Sequence, residues 1–159
     1  MSNFTLSNST AVDPSVALRS TQILVVALTL GVALFAVVAA VMGPIGRPLP
    51  PVVLGLDAIE LVAIALSIGM VATAFLLPPR LVESMRPHGQ EKRVQMFRVS
   101  RVLAAAMCEG PAILWCVALL LAGKWWYLAP IALLIGILVL QIPSRDSFEA
   151  ATGERVPGS

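Results

Sequence analysis

Four long apolar runs, at 23–42, 52–77, 102–122 and 126–142, take up most of this chain. A helix rises ~1.5 Å per residue, so about 17–20 apolar residues cross a hydrocarbon core ~30 Å thick. No water is present at that depth to satisfy bare backbone groups, so each run is expected to be a helix that bonds within itself. The expected fold is all-α: a polytopic membrane protein, a four-transmembrane-helix bundle, with spans near 22–43, 52–77, 99–122 and 125–142.

Composition agrees. Of 159 residues, 58% are hydrophobic and 13% charged, and the mean hydropathy is +0.89. Too few polar side chains remain to cover a water-soluble globule. One four-helix domain is expected over 13–148, between a disordered tail at 1–12 and a flexible tail at 149–159. The opening residues are polar and the first run is long enough to span, so the run itself is expected to act as the insertion signal, with no cleaved leader. The two cysteines, Cys108 and Cys116, lie on one run. Their spacing puts them ~12 Å apart along a helix, too far for a disulfide.

The cations are unevenly distributed. Arg19, Arg80, Arg86, Lys92, Arg93, Arg98, Arg101, Arg145 and Arg155 fall on the side of the termini and the central loop, and only Arg47 and Lys124 on the other. The positive-inside rule then puts both termini and the 78–101 loop in the cytoplasm. Trp125, Trp126 and Tyr127 become an aromatic anchor at the outer interface. Asn3-Phe4-Thr5 and Asn8-Ser9-Thr10 match the glycosylation acceptor pattern, either by chance, since it is short and common in Ser/Thr-rich tails, or as sites on an outward N-terminus, which would oppose the charge argument.

Prolines and glycines mark the helix ends. Asp13-Pro14 is a helix start, with Asp as N-cap and Pro at the first helical position. Gly43-Pro44 closes the first helix, Pro50-Pro51 opens the second and Pro78-Pro79 stops it. The basic stretch 90–101 extends the third helix into the cytoplasm, where it either meets lipid headgroups or a partner, or simply orients the helix. Residues 17–43 and 97–123 align without gaps at an offset of 80, with Arg and Ser near the start, Leu34/Val37 matching Leu114/Val117, and a closing Gly. The alternatives are two hairpin repeats and the default likeness of any two apolar helices.

Carboxylates at membrane depth are costly and mark candidate sites. Asp57 and Glu60, three apart, share a helix face. Asp57 lies near the outer surface as an interfacial acid within reach of Arg47 or Lys124. Glu109 is deeper and opens Glu-Gly-Pro, and Pro111 is expected to kink the helix there. Thr29 and Ser67 fall at nearly the depth of Glu109, and their hydroxyls can bond a protonated carboxyl. The candidate intramembrane proton or cation site is thus Glu109, Thr29, Ser67 and Glu60. Two small stripes, Ala105/Glu109/Ala112/Cys116 and Glu60/Ala63/Ser67/Met70/Ala74, suit close helix packing. Met70, Met107, Cys108 and Cys116 lack the paired spacing of a soft-metal site, and the one histidine, His88, lies in the central loop. No metal, cofactor, catalytic constellation or nucleic-acid surface is expected.

Residues 101–112 (RVLAAAMCEGPA) and 143–148 (PSRDSF) resemble a group of small four-helix bacterial membrane proteins of unassigned function. That resemblance implies a bacterial inner membrane and no known activity. Glu109 also gives a weaker resemblance to the rotor proteolipids of rotary ATPases, hairpins with one mid-membrane carboxylate. Those have a glycine-studded first helix and cytoplasmic hairpin loops. Here Gly31 is the only glycine in 23–42, and the charge pattern puts the short loops outside. The expected function is a non-enzymatic accessory or scaffold protein, bound to lipid and to copies of itself or other membrane subunits. The alternative is a proton- or cation-coupled carrier or rotor using Glu109.

Overall fold

The computed structural model describes residues 14–44, 56–84 and 90–153, and within these the protein is all-helical. Helix α1 covers Pro14–Met42, α2 Ala58–Ser84, α3 Gln90–Ala122 and α4 Leu128–Leu140. A single 3₁₀ turn, Trp125–Tyr127, leads into α4, and a short α5, Arg145–Thr152, ends the described chain. Among the described residues, three helices are long and apolar enough to cross a membrane. The Trp125–Leu140 stretch joins α5 at a 59° bend and makes a fourth if the bent pair counts as one span.

Two helix ends follow directly from glycine. Gly43 after α1 and Gly123 after α3 sit at φ +67° and +64°, the left-handed cap that only glycine adopts without strain. A Cβ on Gly123 would come within 2.7 Å of Pro44, so the two capped ends touch. Ala17 and Leu18 of α1 likewise meet Val94 and Phe97 of α3 at the opposite end. The two helices therefore run parallel, side by side, between a glycine end and an arginine end.

Helix α3 is the hub. Its face Ala104, Ala105, Cys108, Ala112, Cys116 and Leu119 is buried. Small side chains there let α1, α2 and α4 approach closely. Helix α1 also meets α4, whereas α2 packs chiefly on α3. The result is an open arrangement rather than a closed bundle. Wide apolar faces stay uncovered, including Ile23, Leu34 and Val41 on α1 and Val62, Ile68 and Leu76 on α2.

Several boundaries differ from the sequence reading. Helix α2 begins at Ala58, not 52, and runs through Pro78-Pro79 to Ser84. Proline's fixed φ is itself helical, so the pair costs carbonyl partners and steric room without forcing a stop. Asp13, Pro50-Pro51 and the 1–12 tail lie outside the described residues. Helix α3 is unbroken through Pro111, which is fully buried. Helix α4 is only ~20 Å long at 1.5 Å per residue, short of the 125–142 span. The expected tail beyond 148 begins instead as helix. Ser144 caps α5 by accepting the Ser147 N–H at 3.2 Å, and Phe148 and Thr152 are buried. Phe148 meets Phe97 edge to face, with ring centroids 5.3 Å apart, in a small second core at the arginine end.

Candidate functional site

The densest polar cluster lies at the glycine end, where α2 starts beside the α3–α4 connection. Asp57 precedes the first residue of α2, and Glu60 stands three positions later, the spacing of a capping box. The Glu60 Oε2 accepts the Asp57 N–H at 2.6 Å, and the Asp57 carbonyl accepts the N–H groups of Glu60 and Leu61 at 3.0 and 3.1 Å. Both acids are buried, Asp57 at 2% and Glu60 at 0% exposure. Taking two carboxylates out of water is costly unless a cation and hydrogen bonds meet them.

Lys124 is that cation. Gly123 turns the chain so that the next side chain reaches back across the cap of α2. Lys124 Nζ lies 3.0 Å from Asp57 Oδ2 and 2.8 Å from Glu60 Oε1. The Tyr127 hydroxyl donates to the same Glu60 oxygen. Hydrogen bonds first to Glu60 and then to Asp57 push the Lys124 ammonium well above the usual lysine range. Tyr127 is held between Trp115 and Trp126, with centroids at 5.3 and 4.5 Å. The Trp115 indole N–H donates to Ser67 Oγ at 3.0 Å. Both Glu60 oxygens and one Asp57 oxygen are thus satisfied within the protein. Chemically the cluster is a lock that ties α2 to the α3–α4 turn.

The proposed intramembrane set does not assemble. Thr29 Oγ1 donates to the Val25 carbonyl at 2.8 Å, and Ser67 Oγ to the Ala63 carbonyl at 2.6 Å. Both hydroxyls are used on their own helices, as β-hydroxyls in helices commonly are. Glu60 belongs to the glycine-end lock. Glu109 is half-buried at the edge of the packed face of α3, and among the described residues no hydrogen bond or ion pair reaches its carboxyl. Of the two cations expected near Asp57, Lys124 makes the contact, while Arg47 lies outside the described residues. Cys108 and Cys116 are buried free thiols, and Cys108 Sγ accepts from Gln141 Nε2 at 3.1 Å.

Tyr127 and Trp115 are the partners that sequence reasoning missed. The available signal was Lys124 and Tyr127 three apart, on the side of the chain where the charge pattern also puts the Asp57/Glu60 pair. No protein family, curated protein or solved structure matches this chain.

Proposed function

We propose that the chain is an integral membrane accessory or scaffold protein of a bacterial inner membrane, with four spanning segments and both termini in the cytoplasm. The observation that carries this reading is the uncovered apolar surface of α1 and α2. A water-soluble monomer rarely leaves contiguous apolar patches of that extent, whereas lipid or a neighbouring helix covers them at no cost. The cation partition supports the orientation, with the glycine end outside and the arginine end inside. The fourth segment is the bent pair Trp125–Leu140 and Arg145–Thr152 taken as one span. The matched glycine caps at 43 and 123, on parallel helices, support descent from two hairpins. The resemblance of residues 101–112 and 143–148 to small bacterial four-helix membrane proteins fits the same assignment.

Assembly follows from the packing. Helix α2 packs chiefly on α3, and its open face carries Ala65, Gly69 and Ala72, small residues that admit a close helix. The partner is a second copy or another membrane subunit. Native mass spectrometry from mild detergent tests this. A complex of defined stoichiometry is the expected result, and a lone monomer at every protein concentration contradicts it.

A second reading rests on Glu109. A carboxyl that no described residue pairs, beside a proline in an apolar segment, is what a proton or cation carrier needs. Proton flux in reconstituted vesicles that disappears in Glu109→Gln would favour it, and a ring of identical copies would favour the rotor form.

A further inference from the structure

A cavity of about 560 Å³ opens at the arginine end, between α2, α3 and the α4–α5 corner. Small-molecule pockets run ~300–1,000 Å³. Its walls include Ala74 and Phe75 of α2, Arg93 and Arg101 of α3, Gln141 beyond α4 and Ala151 of α5. Arg93, Phe97 and Arg101 follow at four-residue spacing and so share one face of α3. The Arg101 guanidinium carbon lies 5.3 Å from the Phe97 ring centroid, a cation–π contact that draws it back toward the arginine end.

Two polar groups in this wall are unmet. Among the described residues, Arg93 Nε is buried with no hydrogen-bond partner, and so is Gln141 Oε1. Gln141 is only 4% exposed, and its amide nitrogen is already engaged with Cys108. Buried polar atoms are nearly always paired, so each calls for a partner. One needs an acceptor and the other a donor. Glu83 also borders the cavity but is exposed, and two guanidiniums outweigh it. A ligand that fits carries a compact anion for the arginines and a hydroxyl for Gln141. Arginine's planar fork suits phosphate oxygens in particular. Phe75 and Leu140, both exposed, continue the wall as an apolar flank on which acyl chains can lie.

We propose that this cavity is a headgroup site for an anionic glycerophospholipid, with the phosphate on Arg93 and Arg101 and the headgroup hydroxyl donating to Gln141 Oε1. The site rests on the membrane-spanning reading, which puts the arginine end at the anionic cytoplasmic leaflet.

The test is lipid retention by the full chain, read by native mass spectrometry from detergent doped with one lipid at a time. Phosphatidylglycerol should be retained best. Phosphatidylethanol, with the same charge and no headgroup hydroxyl, should be weaker, and phosphatidylcholine weakest. Arg93→Gln should lower phosphatidylglycerol retention about tenfold, the loss of one charge-assisted contact. Arg101→Lys, which keeps the charge and loses the fork, should also lower it. Arg145→Gln makes the same charge change at an exposed position off the cavity wall, and should leave retention unchanged. Circular dichroism of each variant reports folding. Equal losses in Arg93→Gln and Arg145→Gln would overturn the site in favour of general surface charge. Displacement of the lipid by inorganic phosphate would overturn the lipid assignment in favour of a soluble phosphate ester on the same arginines. Carbonate extraction of the same variants separates the two levels of the argument. A chain that leaves the membrane fraction fails the spanning reading, and one that stays without discriminating among the lipids fails the site.

Discussion

Removing the Lys124 ammonium should destabilise the fold more than any other single change at the glycine end. Lys124→Met keeps most of the aliphatic stem and deletes the charge. Asp57 and Glu60, at 3% and 0% side-chain exposure, are then left without their cation. Breaking a buried pair in this way costs ~3–5 kcal/mol. The Lys124 side chain is itself 32% exposed, so water offsets part of the loss and the low end, about 3 kcal/mol, is expected. Glu60→Gln acts differently. If its oxygen keeps Lys124 and Tyr127, its new amide nitrogen faces the Asp57 N–H, donor against donor. That loss is worth ~1.5–3 kcal/mol, because the broken bonds are charge-assisted. In the double variant Lys124 is already gone, so part of the Glu60 penalty disappears. The two changes should couple by about 1 kcal/mol or more. Reversible unfolding in mixed micelles, followed by circular dichroism, measures all three variants. Additive effects, or a Lys124→Met loss within ~0.5 kcal/mol, the range of an ordinary surface change, would refute the lock.

The same lysine sets a pH dependence. Its pKa is raised in the folded chain, so its contribution is fully present below the unfolded value near ~10.4 and falls as pH rises through the higher folded value. Stability measured from pH 9 to 12 should decline more steeply in the native chain than in Lys124→Met, and parallel slopes would contradict this. Gly123→Ala should destabilise more than Gly43→Ala. Both force a left-handed alanine, at ~1–2 kcal/mol, but only the first drives a Cβ to 2.7 Å from Pro44; thermal unfolding of the pair tests the order. Glu109→Leu and Glu109→Gln should both lie within ~0.5 kcal/mol of the native stability, because Thr29 and Ser67 are bonded to their own helices. A loss of several kcal/mol in the same unfolding assay would show that Glu109 has a partner.

What was legible in the sequence was what charge and hydropathy alone decide. The apolar runs gave the helical class, and Gly43-Pro44 and Gly123 marked the ends of α1 and α3. Asp57 and Glu60 could be grouped by their three-residue spacing, and Arg47 or Lys124 matched to Asp57 by opposite charge on the same outer side, whereas Glu60 was assigned to the Glu109 set. Tyr127 was read as an interfacial anchor, since an aromatic residue beside two tryptophans carries no sign of where its hydroxyl points. The Glu109 set failed for a related reason. Depth along a helix is readable, but a threonine or serine hydroxyl has a competing acceptor one turn back in its own backbone, which is always within reach. Helix α5 was missed because Phe148 is the one large apolar residue in a polar stretch, and its core partners, Ala17, Leu18, Val94 and Phe97, lie far away in sequence. The cavity wall was half legible. The basic stretch 90–101 suggested headgroup contact, whereas the unmet Gln141 oxygen depends on Cys108 having taken its amide.

The central claim is that the glycine end and the arginine end lie on opposite faces of a bilayer. Single cysteines at positions 47, 88 and 145, in a chain whose Cys108 and Cys116 are replaced by alanine, test it most directly with a membrane-impermeant thiol reagent on intact cells. Labelling at 47 without permeabilisation, and at 88 and 145 only after it, is the predicted result. Labelling of 88 or 145 in intact cells, or protection of 47, contradicts the account.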